Sequence, residues 1–402
     1  VIKVKLKDIA INITDGKHGD CENEEHSGFY FVSCKDVHDG AIYYDNARQI
    51  TEKDFIDTHK RTMLEPNDIL ITNSGTIGRM ALVKDIPQTY KTTFQKSVAI
   101  IKPNQEIVRP RYLYYSLINY VSQFINESNG SAQKNLLLGT MREFKINIED
   151  NFDKQDKIAY ILYSYDDLIE NNKNQIKLLE EATQRLYKEW FVDLHFPGYE
   201  DVEIVDGVPK GWTYKLVSEF GEVITGKTPT TSKPEYYGGN IPFITIPDMH
   251  GKVFPLVTEK TLTEAGADTQ KNKYLPANSV IVSCIATVGL VNIAVEPCQT
   301  NQQINSVVLY DDNNLYFFYE SMKRIKALLD GVGSNGATMT NVNKTKFCNI
   351  KVLYPTEDLV LKYNEFCQPI FDNILTLSKS ILMSEQARDR LLPKLMSGEI
   401  EV

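Results

Sequence analysis

The sequence contains no apolar run approaching the roughly 18 residues that a membrane-spanning helix requires. Its opening, Val1-Ile2-Lys3-Val4-Lys5-Leu6, alternates like a strand rather than reading as a signal peptide. Cysteine is sparse: positions 21, 34, 284, 298, 348 and 367 follow no framework spacing, which argues against a disulfide scaffold and predicts reduced thiols in a cytoplasm. No Gly-rich loop ends in Lys-Ser/Thr and no dinucleotide fingerprint follows a strand. Gly75-Thr76-Ile77-Gly78 is too short for either and reads as a tight turn. The Asn-Pro-Pro-aromatic tetrad of amino-methyltransferases is missing, as is a strand carrying the spaced carboxylates and Lys of a nuclease site. Cys21, His26, Cys34 and His38 are zinc-ligand types, but their spacing matches no common finger, so they read as loop and core residues.

Positive charge is also in short supply. The 402 residues carry a net charge of −9, with 42% hydrophobic and 24% charged residues, as in an ordinary globular protein of two to three domains. The deficit is uneven: residues 1–152 are net −1, 153–198 net −3, 199–355 net −2 and 356–402 net −3. The two large segments are near neutral and have room for one basic face, short of the strongly basic footprint of an independent DNA binder.

What the chain has in abundance is itself. Leu64-Glu65-Pro66-Asn67-Asp68-Ile69-Leu70-Ile71-Thr72 parallels Leu275-Pro276-Ala277-Asn278-Ser279-Val280-Ile281-Val282-Ser283 at an offset of 211, and the turns Thr76-Ile77-Gly78 and Thr287-Val288-Gly289 follow at the same offset. Phe94-Gln95-Lys96-Ser97-Val98 aligns with Gln303-Ile304-Asn305-Ser306-Val307 at offset 209. The loop Asn129-Gly130-Ser131 has a counterpart at Gly333-Ser334-Asn335-Gly336.

Each repeat closes with a helical pattern. Ile158, Leu162, Tyr165, Ile169, Asn172, Ile176, Leu179, Thr183, Leu186 and Trp190 step alternately by four and three, the seam of a coiled coil. A shift of 205 gives Tyr363, Cys367, Ile370, Ile374, Leu377, Ile381, Ser384, Arg388, Leu391 and Leu395, with Ser384 and Arg388 weakening the seam. No Pro or Gly interrupts residues 154–190, enough for a rod of roughly 55 Å. Helices are expected near 154–190 and 362–395. Leu178, Tyr187, Phe191, Leu375 and Leu382 lie off the seam and predict apolar surface for a partner.

Two divergent β-rich segments of similar length, each followed by a similar long helix, resemble the specificity subunits of type I restriction–modification systems over essentially the whole chain. Val208-Pro209-Lys210-Gly211-Trp212 resembles the opening of the second recognition domain. Thr225-Gly226-Lys227-Thr228-Pro229 and Tyr236-Tyr237-Gly238-Gly239-Asn240-Ile241-Pro242-Phe243 resemble its first loop and strand. Asn73-Ser74-Gly75-Thr76-Ile77-Gly78-Arg79 resembles the matching turn of the first domain, and Leu391-Leu392-Pro393-Lys394-Leu395-Met396-Ser397-Gly398-Glu399-Ile400 the end of the second helix.

The resemblance implies an α+β fold with two pseudo-symmetric target-recognition domains, residues 1–152 and 199–355, separated by two long antiparallel coiled-coil helices within 153–198 and 356–402. It implies a non-enzymatic subunit of a cytoplasmic complex. Each globule binds one half of a bipartite double-stranded DNA target, and the helices act as spacer and dock two DNA-methyltransferase subunits. The chain itself holds no cofactor. S-adenosylmethionine, ATP and Mg belong to the methyltransferase and the motor–nuclease subunits.

Readout of DNA requires donors and acceptors on loops: Arg or Lys for guanine, Asn or Gln for adenine, and Lys, Ser or Thr for phosphate. The first globule offers Lys17, His18, Asn73, Ser74, Thr76, Arg79, Gln95, Lys96, Gln133, Lys134 and Asn135. The second offers Lys227, Thr228, Thr231, Lys233, Tyr236, Tyr237, Asn301, Gln302, Gln303 and Asn335. Glycines 16, 75, 130, 226 and 336 are expected to set turns. Two other readings stay open on the residues alone: a catalytic nuclease or methyltransferase with an unrecognised site, and a scaffold of two binding modules on a rod.

Overall fold

A computed structural model describes residues 1–128, 135–330 and 341–402. They form two compact units, one of Val1–Leu168 with Ser384–Val402 and the other of Ile169–Met383.

The first unit is built on a four-stranded antiparallel sheet whose strands run in the order Ala10–Asp15, Val98–Pro103, Ile69–Thr72, Met80–Leu82. Alternation along these strands sends Ile69, Ile71, Ala99 and Ile101 into one core and Leu70, Val98 and Ile100 into another on the opposite face. Ile2–Lys5 pairs antiparallel with Lys145–Ile148. In a third sheet, Tyr30–Val32 runs parallel to Thr92–Phe94 and antiparallel to Arg48–Gln49.

The second unit repeats this topology strand for strand. Its four-stranded sheet has the order Gly221–Thr225, Ile304–Leu309, Val280–Ser283, Val291–Ile293. Thr213–Leu216 pairs with Lys351–Tyr354, and Tyr237–Ile244 runs parallel to Gln299–Thr300 and antiparallel to Lys260–Leu262. Val280, Val282 and Val307 face one core, and Ile281 and Ile304 the other.

The ladders correct one part of the sequence alignment. Ile71 pairs with Ala99 where Val282 pairs with Asn305, so the strand Val98–Pro103 is offset from its counterpart Ile304–Leu309 by 206, not 209. Gln95-Lys96-Ser97 therefore correspond to Asn301-Gln302-Gln303. A slip of three residues in a strand exchanges its faces. Short apolar runs tolerate that slip on paper, and a two-faced sheet does not.

The two long helices are Phe152–Phe191 and Glu357–Ser397, extending past both ends of the predicted 154–190 and 362–395. Asn151 Oδ1 accepts from the Lys154 N–H at 3.1 Å and caps the first. Gly398, in the left-handed region at φ 76°, ends the second. All twenty predicted seam positions are buried or half-buried. In the first unit Ile158 and Leu162 share a core with Leu392 and Leu395, and Arg388 Nη1 meets Asp166 Oδ1 at 2.6 Å. In the second unit Asn172 Nδ2 donates to Ser380 Oγ at 3.1 Å and the Tyr363 hydroxyl to the Thr183 carbonyl at 3.2 Å. Within each unit the contacts descend one helix as they climb the other, so the pair is antiparallel.

Arg388, which weakens the seam on paper, thus has a partner. Asp166 also accepts from the Tyr115 hydroxyl at 2.6 Å, tying both helices to the helix Pro110–Asn119 of the globule. Off the seam the expectation divides. Leu178 is 64% exposed, but Tyr187 and Phe191 lie in the core of the second unit against Phe317 and Tyr363, so they offer no surface. The globule packs where the spacing alone leaves a bare face.

At the matching place in the second unit, Thr183 Oγ1 donates to Glu320 Oε1 at 2.9 Å. Glu320 is 3% exposed, and burial raises its carboxyl from an ordinary 4.5 to about 7, partly offset by Lys323, Thr183 and Arg324. The folded state therefore keeps a proton that the unfolded chain releases above pH 4.5. Stability is fully present below that pH and declines as pH rises to about 7, by roughly 3 kcal/mol. Replacing Glu320→Gln is expected to raise the unfolding free energy of the second unit at pH 8 and to leave it unchanged at pH 4. Urea titrations of both proteins at the two pH values check this, and equal pH slopes would refute it.

Candidate nucleic-acid interface

At one end of the first unit's four-stranded sheet, four loop segments are stitched together by backbone hydrogen bonds. The Gly16 N–H donates to Val98 O at 3.1 Å and Lys17 N–H to Phe94 O at 2.8 Å, while Lys96 N–H returns to Lys17 O at 3.1 Å. Asn73 N–H reaches Ser97 O at 3.0 Å, Leu136 N–H reaches Asn73 O at 2.8 Å, and Ser74 bridges Asn135. Lys17, His18, Asn73, Ser74, Gln95, Lys96 and Asn135 thus converge, with Thr76 and Arg79 on the adjoining turn. Gln133 and Lys134, with the Asn129-Gly130-Ser131 loop, lie outside the described residues.

The second unit builds the same cluster. Gly226 N–H donates to Ile304 O at 3.1 Å, Lys227 N–H to Thr300 O at 2.9 Å, Cys284 N–H to Gln303 O at 2.9 Å and Val342 N–H to Cys284 O at 2.7 Å. Ile285 bridges Asn341. Lys227, Thr228, Asn301, Gln302 and Gln303 come together. Thr231, Lys233, Tyr236 and Tyr237 occupy the loop and the following strand, where the Tyr237 hydroxyl donates to Pro229 O at 2.7 Å. Asn335 and its Gly/Ser/Asn loop, including Gly336, lie outside the described residues. The sequence reading missed Thr287 and Asn341, which take the places of Thr76 and Asn135. Offsets of 211 and 206 point to them, once the second offset is known.

Gly16 and Gly226 do not set turns as expected. A Cβ on Gly16 would stand 1.9 Å from Phe94 O, and one on Gly226 2.2 Å from Asn301 O. Here glycine permits two backbones to cross. Gly75 does occupy a turn, at φ 81°, and its counterpart Ala286 is held in the same left-handed region at φ 64°. In both turns a hydroxyl closes the loop: Thr72 Oγ1 accepts from Arg79 N–H at 3.0 Å, and Ser283 Oγ from Leu290 N–H at 2.8 Å.

The cluster's charges are unevenly committed. Lys17 Nζ lies 3.5 Å from Asp54 and 3.9 Å from Asp57, and His18 Nε2 lies 3.0 Å from Asp15, which also binds Arg61 at 2.7 Å. Arg79, Lys96 and Lys227 are exposed and form no ion pair among the described residues. Lys233 Nζ donates to the Tyr236 hydroxyl at 3.1 Å. Asn73 is buried with its Oδ1 unpaired among the described residues. Cys21, His26, Cys34 and His38 serve different surroundings: Cys21 lies in a small core with Phe31 and Phe55, and His38 stacks on Tyr43. Among the described residues no group of three His, Cys, Asp or Glu is placed to hold a metal, all six cysteines are free, and no helix is long and apolar enough to cross a membrane.

These features have counterparts in known proteins. The family described as type I restriction modification DNA specificity domain matches residues 2–181 and again 209–358. The chain is 33% identical over 368 residues to the type I restriction enzyme HindI specificity subunit of Haemophilus influenzae, covering 75% of this chain and 80% of that one. It is 27% identical over 414 residues to the type I restriction enzyme MjaIX specificity subunit of Methanocaldococcus jannaschii, covering 99% and 93%. Among solved structures, the S subunit of a type I restriction–modification system from M. genitalium shares the fold, with a TM-score of 0.59 at 14% identity, covering 98% of this chain and 95% of that one.

The glycine crossing and the left-handed turn make opposite predictions for one methyl group. Gly226→Ala forces two backbones apart and is expected to cost about 1–3 kcal/mol, as other overpacked sites do. Ala286→Gly relieves a left-handed alanine and is expected to stabilise by up to about 1 kcal/mol. Thermal unfolding of both variants checks the signs, and a neutral Gly226→Ala would show that the crossing is loose.

Proposed function

The chain belongs to the type I restriction modification DNA specificity family, and from that membership we propose that each globule reads one half of a bipartite DNA target. The observation that carries this reading is the loop cluster built twice from the same strands, with different side chains in matched places. Backbone bonds fix the platform; lysine (Lys17, Lys227) and threonine (Thr76, Thr287) recur in both copies, whereas the exposed Lys96 and Arg79 correspond to Gln302 and Leu290, so the donors and acceptors offered there differ between the copies. Base contacts specify sequence and phosphate contacts set position. A shared scaffold with divergent tips is the arrangement that reads two unrelated half-sites.

The long helices then serve as the ruler between the half-sites and as the docking surface for two DNA-methyltransferase subunits. Exposed Tyr160, Leu168, Leu178, Phe366 and Met383 supply apolar surface for that docking. The methyl donor belongs to those subunits, and ATP and Mg to the motor–nuclease subunits that complete the complex.

Two experiments test the division of labour. Alanine at Gln95 and Lys96 is expected to relax only one half-site, by about 1–3 kcal/mol per lost base contact, and alanine at Gln302 and Gln303 only the other. Methylation mapping in a host carrying the system reads both, and variants that alter both half-sites together would refute the assignment. Matched insertions of four residues after Asn172 and after Ser380 lengthen the pair by roughly 6 Å, close to two base-pair rises, and rotate the seam by only about 40°. The preferred gap should lengthen while both half-sites persist. An active variant with an unchanged gap would show that the helices are not the ruler.

A further inference from the structure

Three side-chain amides stand side by side in the second unit, and their hydrogen bonds separate scaffold from reader. Asn301 is used internally at both ends: Nδ2 donates to Gln303 Oε1 at 3.1 Å and Oδ1 accepts from the Gln303 N–H at 3.0 Å. Both residues are half-buried. Gln302 is exposed and among the described residues its side chain has one bond, in which Thr228 Oγ1 donates to its Oε1 at 2.7 Å. That bond takes one of the two lone pairs on Oε1 and neither hydrogen on Nε2. The amide is left oriented, with an acceptor and two donors uncommitted among the described residues.

Thr228 in turn sits on a fixed base. The neighbouring Lys227 N–H donates to Thr300 O at 2.9 Å, and its carbonyl accepts from Nε2 of the buried Gln270 at 2.7 Å. Gln270 is itself tied to Gln299 at 2.7 Å. A side chain held before its ligand arrives loses less rotamer freedom on binding and discriminates more sharply.

Building on the reading that each globule contacts one half-site, we infer that Gln302 reads an adenine in the half-site of the second globule, with Thr228 as its positioning residue. An amide that offers an acceptor beside a donor matches the N6–H and N7 edge of adenine in the major groove. The first unit holds Lys96 at the same position of the repeat, with His18 near the place of Thr228. The Lys96 ammonium has donors and no acceptor, which suits guanine O6 and N7 and offers nothing to adenine N6–H. One position of one scaffold thus reads different bases in the two halves.

The test is selection by the full chain from a pool of randomised DNA duplexes. Wild type is expected to return two half-sites, and Gln302→Lys to convert one adenine preference to guanine, by about tenfold or more, with every other position unchanged. Thr228→Val should flatten the preference at that same base pair, and Thr228→Ser should restore it, whereas a general loss of folding would weaken all sequences alike. With the wild-type protein, 7-deazaadenine at that position removes the N7 acceptor and should weaken binding about tenfold. Wild type that selects two half-sites but tolerates 7-deazaadenine at every adenine of both, or a Gln302→Lys variant with an unchanged preference, overturns this inference and leaves the half-site reading standing. A wild-type chain that selects no bipartite sequence overturns both.

Discussion

A Cβ at Gly16 or Gly226 would collide with the carbonyl oxygens of the strand end beneath it, at 1.9 and 2.2 Å. Everything at the loop cluster depends on that crossing. Because the backbone passes so closely, Lys17 and Lys227 can donate to Phe94 O and Thr300 O, and the 95–97 and 301–303 segments are drawn under the first loop. The turns after Thr72 and Ser283 then add a third segment through Asn73 and Cys284, and residues 135–136 and 341–342 a fourth. Main-chain bonds do this work, so side chains at the tips are free to differ without loss of the platform. Such a separation of support from readout lets one fold carry different recognising side chains.

The second organising feature is polarity inside the helix pair. A seam made only of apolar residues packs well and specifies register weakly. Here Arg388, Asp166 and Tyr115 form one polar junction, and Thr183, Glu320 and Tyr363 another at the matched place of the other unit. Each junction joins both long helices to a helix of its globule, so register and domain attachment are fixed together. The chemistry of the two differs. In the first the charge is paired. In the second a buried carboxyl holds a proton to about pH 7, which makes that junction the more sensitive of the two to pH.

Net charge gave little guidance to the interface. The whole chain is at −9, and in the first cluster Lys17 and His18 are committed to Asp54, Asp57 and Asp15. Among the described residues of the two clusters, the exposed cations that remain are Arg79, Lys96, Lys227 and Lys233. Reading by directed donors and acceptors on a fixed platform requires fewer cations than holding DNA by phosphate neutralisation alone, so a mildly acidic chain of this kind remains compatible with sequence recognition.

The duplication, the β-rich globules and the two long helices were all legible in the sequence, because periodicity of 2 and 3.5 and a repeat offset are local properties that survive without coordinates. The seam was legible down to single positions. Four things were not. The offset of the strand Val98–Pro103 was decided by hydrogen-bond register, which exchanges the two faces of a buried sheet if it slips by three residues. The fate of Tyr187 and Phe191 was decided by the globule that covers them, and the partners of Arg388 and Thr183 lie far away in sequence. The grouping of Lys17, Asn73, Gln95 and Asn135 was likewise set by crossings between segments dozens of residues apart. The sequence determined which elements form and that they form twice; the tertiary structure decided which residues meet, because such meetings depend on non-local register and on how closely two backbones can pass.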